Sequence, residues 1–277
     1  MAKFLVLLQY LLPQHLLTQF VGWLAECRWP WIKNTFIQWA IRHYRIDLTN
    51  ALIENPRDYA TFNGFFTRQL KPTTRPIIKN PHHILSPIDG YATQAAYAKQ
   101  NQLLQAKNKY FSLETLCGDQ VLAKQFHQGA YAVLYLAPHN YHRVHMPMDG
   151  QLTQSIFIPG KLFSVNHMTS NRIPNLYARN ERLVTYFDTA HGPMAIILVG
   201  ALIVGSIQTV WQPCFRSTTL QRYPVPDKPA VTLQQGEELG LFKMGSTVIL
   251  LFSQDAHLSW SIPLHTELQM GQVIGQL

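Results

Sequence analysis

Three histidines, His139, His142 and His145, fall within seven residues of the stretch "YLAPHNYHRVHMPMDG" at 135–150. Histidine titrates nearest neutrality, so such a cluster suits proton transfer or metal binding. A zinc site needs three or four ligands at suitable spacing. Here Pro138 and Pro147 flank the run and favour a strand or loop, and no HExxH is present. In a strand, residues 142 and 145 face opposite ways, which suits two separate tasks better than one metal, and none is expected. A carboxylate, Asp89, sits in the turn signal "SPIDG" at 86–90. A hydroxyl, Ser246, follows Gly245 in "KMGSTVILLF" at 243–252. Asp, His and Ser are the parts of an activated hydroxyl, with a base oriented by a carboxylate. No GxSxG elbow occurs, which disfavours a conventional α/β-hydrolase. Taken singly, Asp-Gly and Gly-Ser also read as ordinary turns. Polar residues Asn166, Asn175, Asn180, Glu181 and Arg182 punctuate an apolar stretch and could line a pocket or satisfy backbone groups.

The elements that must position these groups change character along the chain. From about residue 84 the pattern is of short apolar or alternating runs between Gly, Pro and Asn: "YAVLYLAP", "LTQSIFIPG", "RLVTYFDT", "MAIILVGALIVGSIQTVW" and "STVILLF". This predicts a β-rich core with a helix or two near 111–126. Residues 56–80 read as a connector, with Asp58 or Thr61 available to cap a short helix. Residues 1–70 read as helical, and Pro13 and Pro30 divide the first part into about three helices. The fold class expected is α+β: N-terminal helices, then a core of mainly antiparallel sheets, with a boundary near residue 70.

The 277 residues are 47% hydrophobic and 14% charged, enough for a core and too apolar for disorder. The net charge of +8 suits an anionic partner, but no run of five Lys or Arg occurs, which argues against nucleic acid. Cys27, Cys117 and Cys214 lack any CxxC spacing, so neither a zinc ribbon nor a disulfide framework is expected. No secretory leader of the usual form is expected. The longest apolar run, Met194 to Gly205, is shorter than the ~18 residues that span a bilayer. Over residues 1–45 five basic residues face the single acid Glu26, and Trp23, Trp29, Trp31 and Trp39 cluster there. Basic, Trp-rich helices lie well in a membrane interface; a helical bundle packed on itself, or a dimer face, is the alternative.

Eight stretches, in order, carry a resemblance. They are "LQYLLP" (8–13), "TFNGFFTRQLKPTTRPI" (61–77), "SPIDG" (86–90), "YHRVHMP" (141–147), "PGKLFSVN" (159–166), "NLYARNER" (175–182), "VGALIVGSIQTVW" (199–211) and "GLFKMGSTVILLF" (240–252). Together the chain resembles the phosphatidylserine decarboxylase family, of the bacterial membrane-associated type, with Met244 where the family usually has Leu. The resemblance implies self-cleavage between Gly245 and Ser246 into a β chain, 1–245, and an α chain, 246–277. Ser246 would become a covalent pyruvoyl cofactor, which forms a Schiff base with the amine of phosphatidylserine and leads to phosphatidylethanolamine and CO2. It implies His145 as base and Asp89 as its orienter, with His142 the choice for proton donor in decarboxylation. Asn166, Asn180 and Arg182 are candidates for the headgroup. It further implies phosphatidylserine in an anionic membrane as partner, a homodimer of αβ units, and a peripheral place on the cytoplasmic face of the cell membrane. The alternatives are a related pyruvoyl decarboxylase, a serine hydrolase using Asp89, His145 and Ser246 without self-cleavage, and a non-enzymatic membrane-surface binding protein.

Overall fold

The computed structural model describes residues 2–106, 109–203, 206–215, 217–226, 229–243 and 246–277, with the backbone alone at 2–5 and 167. Three helices open the chain: α1 (Ala2–Leu11), α2 (Gln14–Ala25) and α3 (Pro30–Tyr44). The breaks fall at the two prolines, and Pro30 occupies the first turn of α3, where its missing N–H costs nothing. A short α4 (Phe62–Phe66) follows, its first turn capped by Thr61 Oγ1, which accepts from Gly64 N.

The remainder alternates β1 (His83–Leu85), β2 (Gly90–Tyr97), β3 (Gln102–Ala106), β4 (Lys109–Ser112), α5 (Leu113–Cys117), α6 (Gln120–Lys124), β5 (Ala130–Leu136), β6 (Arg143–His145) and β7 (Gly150–Ile158). Then come α7 (His167–Ser170), α8 (Leu176–Arg179), β8 (Arg182–Thr189), β9 (Gly192–Val199), β10 (Ile207–Thr209), β11 (Gln221–Tyr223), β12 (Thr232–Leu233), β13 (Glu238–Phe242), β14 (Ser246–Phe252), β15 (Ser259–Trp260), β16 (Glu267–Leu268) and β17 (Val273–Gln276). The architecture is α+β, with an antiparallel core. The main sheet runs β11-β7-β8-β9-β14-β5-β2-β16, and β12 also pairs with β7. Two three-stranded sheets, β10-β13-β6 and β1-β17-β15, and the hairpin β3-β4 complete it.

β14 lies in the middle of the main sheet, hydrogen-bonded to β5 on one side and β9 on the other. Its whole length, Ser246 to Phe252, is buried. That explains the unbroken apolar run, because both faces are covered. Val248, Ile249, Leu250, Leu251 and Phe252 are each at most 1% exposed. Burial of such side chains stabilises by roughly 1.5–3 kcal/mol each, so the segment is anchored independently of the peptide bond before it.

The N-terminal helices turn an unusual face inward. Gln9, Gln14 and Thr18 are buried, while Leu11 is 77%, Trp23 69% and Trp31 70% exposed. The inward polar groups hold the loop after β7: Gln9 Oε1 accepts from Ser164 N, and Gln14 Oε1 accepts from Leu162 N. Thr18 Oγ1 accepts from Ile203 N. α3 and α4 build their own small cluster around Ile37, Ala40, Phe62, Phe65 and Phe66. Among the described residues no helix is long and apolar enough to cross a membrane.

Candidate active site

The antiparallel order gathers distant residues at one end of the main sheet. β2 begins there, one residue after Asp89; β5 ends there at Leu136; β14 begins there at Ser246, which pairs with Leu136. The first residue of β2 must be glycine, because a side chain at Gly90 would run into the carbonyl of Tyr135. Six residues after Leu136 the chain reaches His142, whose carbonyl accepts from Phe242 N (3.1 Å). Four residues on from Phe242 stands Ser246. β6 then carries His145 alongside Glu238 of β13. Two short connections thus bring His142, His145 and Ser246 to the same end of the fold.

Ser246 is fully buried, and its Oγ has no hydrogen-bond partner among the described residues. The neighbouring Thr247 Oγ1 is likewise buried and unpartnered. Gly245 and Met244 lie outside the described residues. A buried hydroxyl without a partner is costly and calls for a functional account.

His142 is also wholly buried. Its Nδ1 lies 2.8 Å from the carbonyl of Asn140, which can only accept, so the proton sits on Nδ1. Nε2 is then a bare lone pair, and among the described residues it has no partner. The ring packs on Phe66 at 4.0 Å between centroids. Burial, reinforced by the Arg68 guanidinium, pushes its pKa down to about 3. His142 is therefore neutral at physiological pH.

His145 is held at both nitrogens. Nδ1 is 2.9 Å from the Gly236 carbonyl and so carries the proton, leaving Nε2 to accept from the Tyr141 hydroxyl at 3.0 Å. Its backbone N–H donates to the Pro87 carbonyl, two residues before Asp89. Burial lowers its pKa, opposed by the Gly236 hydrogen bond and by the carboxylates of Glu238 and Asp89. It too is kept in the neutral, basic form.

Asp89 is not hydrogen-bonded to His145. Its oxygens accept from Arg75 Nε (3.0 Å) and Nη2 (2.6 Å), and Oδ1 also accepts from Met270 N (2.8 Å). It bears on His145 through its charge alone. Sequence reasoning did not single out Arg75 or Tyr141; both lie inside stretches that carried the resemblance.

Asn166, Asn180 and Arg182 stand apart from this cluster in their bonding. Asn180 is fully buried and spends its side chain on Phe163 N, Phe163 O and Gly200 O. Arg182 directs four donors at the carbonyls of Leu116, Ala178, Asn180 and Thr115. Asn166 caps the turn at Thr169. All three are employed as backbone brackets. A groove of about 780 Å³ does open nearby, between α2 and the core, lined by His15, Thr18, Leu162, Ser206 and Phe215 among others. The carbonyl of Ser206 accepts from Lys243 N, so the groove adjoins Lys243. Among the described residues no group of three or more His, Cys, Asp or Glu could hold a metal ion.

Comparison with known proteins agrees across the chain. A family model described as phosphatidylserine decarboxylase matches residues 62–276, and a second, described as PSD, matches residues 4–45. A protein of Azotobacter vinelandii is 50% identical, over 97% of this chain and 96% of its own length. One from Stutzerimonas stutzeri is 47% identical, over 99% and 94%. One from a Shewanella species is 44% identical, over 100% and 99%. All three relatives carry the name phosphatidylserine decarboxylase proenzyme.

Proposed function

This chain belongs to the phosphatidylserine decarboxylase family and is a decarboxylase of phosphatidylserine, and we propose that it makes its own reactive group by cutting the Gly245–Ser246 bond. The observation that carries the proposal is the Ser246 hydroxyl, wholly buried and without a partner among the described residues. Sealed from solvent, it is poorly placed to attack an ester from outside, which disfavours a serine hydrolase. The carbonyl of the preceding residue is within its own backbone.

Serine is a weak nucleophile until a base takes its proton. Nε2 of neutral His145 is that base, and the Tyr141 hydroxyl releases the lone pair when Ser246 engages it. The Gly236 carbonyl keeps Nδ1 protonated, and the charges of Glu238 and, less strongly, Asp89 favour the imidazolium that forms. Ser246 Oγ adds to the Gly245 carbonyl carbon; the C–N bond breaks, and the Ser246 nitrogen takes a proton, leaving an ester and a free amine. Loss of the Cα proton of residue 246 expels the Gly245 carboxylate. Water then replaces the nitrogen, which leaves as ammonia, and residue 246 becomes a pyruvoyl group. The products are a β chain, 1–245, and an α chain, 246–277, which β14 keeps in the sheet.

The site fits such a group: Ser246, the residue that becomes it, is wholly buried, and Nε2 of His142 is buried and unpartnered among the described residues. The pyruvoyl group supplies an electrophilic carbonyl that binds the substrate amine and takes up the electrons released as CO2 departs. His142 begins neutral, so it cannot begin as an acid. Its Nε2 first takes a proton from the substrate ammonium, then returns it to the carbon that CO2 has left.

Residues 1–70 serve as the membrane-associating region and 71–277 as the catalytic domain. The outward apolar residues of α1–α3 support the first assignment, and each Lys or Arg near an anionic surface adds about 1 kcal/mol of attraction. Pairing of two αβ units, and residence on the cytoplasmic face, rest on the family resemblance alone. The test is CO2 release from phosphatidylserine vesicles by the purified protein. Wild type should release CO2; a self-cut His142→Ala variant should do so roughly 10²–10⁴-fold more slowly. A His142→Ala variant as fast as wild type would remove His142 from the proton transfer.

A further inference from the structure

A guanidinium without a counter-ion lies beside His142. Arg68 follows α4 and is 5% exposed. Nη2 donates to the carbonyl of His139 (2.9 Å) and, at 3.4 Å, to that of Asn140, the carbonyl that also orients His142. Nε and Nη1 are buried and have no partner among the described residues. Arg68 joins none of the salt bridges among the described residues. Burial pulls its pKa below the usual arginine value. Half-buried Arg75 and buried Arg182 differ: Arg75 has the Asp89 carboxylate, and Arg182 fills four donors with carbonyls. Charged donors left unfilled inside a protein are among the most costly polar groups to keep, so a ligand that fills them binds with the full benefit.

We propose that Arg68 is the anion receptor of this site, its Nε and Nη1 taking the phosphodiester of the substrate headgroup. The proposal rests on the reading given under Proposed function. Two anions of the substrate have the right chemistry, and energetics separates them. An ion pair with the departing carboxylate would be lost as CO2 forms, stabilising the ground state more than the transition state. The phosphodiester keeps its charge throughout. Position agrees: α4 packs Arg68's neighbours Phe65 and Phe66 against α3, whose opposite face exposes Trp31 and Trp39. Arg68 thus lies between the outward apolar face and His142, as the phosphodiester lies between the acyl tails and the reacting amine. An anion there also offsets the positive field that opposes proton uptake by His142, so headgroup binding assists the proton transfer.

The test compares wild type with Arg68→Lys and Arg68→Met, after fragment analysis has established that each is cut. Hydrogen bonds to charged groups are worth about 10- to 150-fold in binding. Arg68→Met should raise KM for phosphatidylserine by about that factor, with a much smaller change in kcat, and Arg68→Lys should recover part of it. Inhibition by sn-glycero-3-phosphoethanolamine, which has the phosphodiester and no carboxylate, should weaken in parallel. Inhibition by N-acetylserine, which has only the carboxylate, should not. Loss confined to the carboxylate probe overturns the proposal, as does an unchanged KM in a fully cut variant; both leave phosphatidylserine decarboxylation standing. If neither variant folds, a crystal structure of wild type with sn-glycero-3-phosphoethanolamine decides. The phosphate should sit within hydrogen-bond distance of Nε and Nη1, and a phosphate seated elsewhere overturns the assignment. A cut wild type that releases no CO2 refutes the reading on which the proposal stands.

Discussion

Replacing Asp89 with alanine strips Arg75 of its partner in a nearly dry place. The side chains are 13% and 10% exposed, joined by two hydrogen bonds, and the carboxylate also receives Met270 N. Removing one member of a buried ion pair costs about 3–5 kcal/mol, because the remaining charge is uncompensated. In a protein of this size 1 kcal/mol shifts Tm by about 2–4 °C, so Asp89→Ala should melt about 6–20 °C below its parent. The measurement belongs in a Ser246→Ala background, where no cutting intervenes. The pair replacement Arg75→Met with Asp89→Leu should recover most of the loss, since two apolar side chains leave no buried charge. With Ser246 restored, the same pair replacement should give a folded chain that cuts more slowly than wild type, because one of the two carboxylate charges that favour the His145 imidazolium is gone while that of Glu238 remains. A pair replacement as unstable as Asp89→Ala would refute the electrostatic account of Asp89. A stable one that cuts at the wild-type rate would remove Asp89 from the processing chemistry.

Three further outcomes follow from the same geometry. His142 has its pKa depressed to about 3, so the unfolded chain binds a proton that the folded chain refuses. Its contribution to stability is full above about pH 6.5 and is lost as pH falls from there toward 3, with a slope of up to about 1.4 kcal/mol per pH unit; His142→Phe in the Ser246→Ala background should flatten Tm against pH in that window. Asn180→Ala leaves Phe163 N, Phe163 O and Gly200 O without partners, so it should cost about 2–4 kcal/mol in denaturant unfolding. Its KM for phosphatidylserine should be unchanged, whereas a headgroup ligand would raise it. Trp23→Ser combined with Trp31→Ser should lower cosedimentation with phosphatidylglycerol vesicles while leaving Tm nearly unchanged, since both rings are exposed.

Much of the fold was legible because burial on both faces leaves an unmistakable apolar run: the stretches around 130–136, 192–199 and 246–252 became β5, β9 and β14. Pro13 and Pro30 marked helix breaks for a purely local reason, as did the Thr61 cap. The types of the site residues were legible too, since Ser, His and Asp carry their chemistry with them. Their partners were not. The Arg75–Asp89 pair and the Tyr141–His145 hydrogen bond depend on how the loops close over the end of the sheet, which no periodicity records. For Asn180 and Arg182 the sequence left a pocket and backbone partners both open, and their bonds to backbone groups of Phe163, Gly200, Leu116, Ala178, Asn180 and Thr115 are invisible in composition. The helices showed apolar density, but that Gln9, Gln14 and Thr18 face inward depends on the loop they meet.

The most direct measurement is the intact mass of the purified protein under denaturing conditions, beside Ser246→Ala. The account predicts two fragments from wild type, residues 1–245 and a smaller chain beginning at residue 246 with the mass of a pyruvoyl rather than a serine terminus, and one whole chain from the variant. A wild-type chain that stays whole, with serine at 246, and still decarboxylates phosphatidylserine would contradict it.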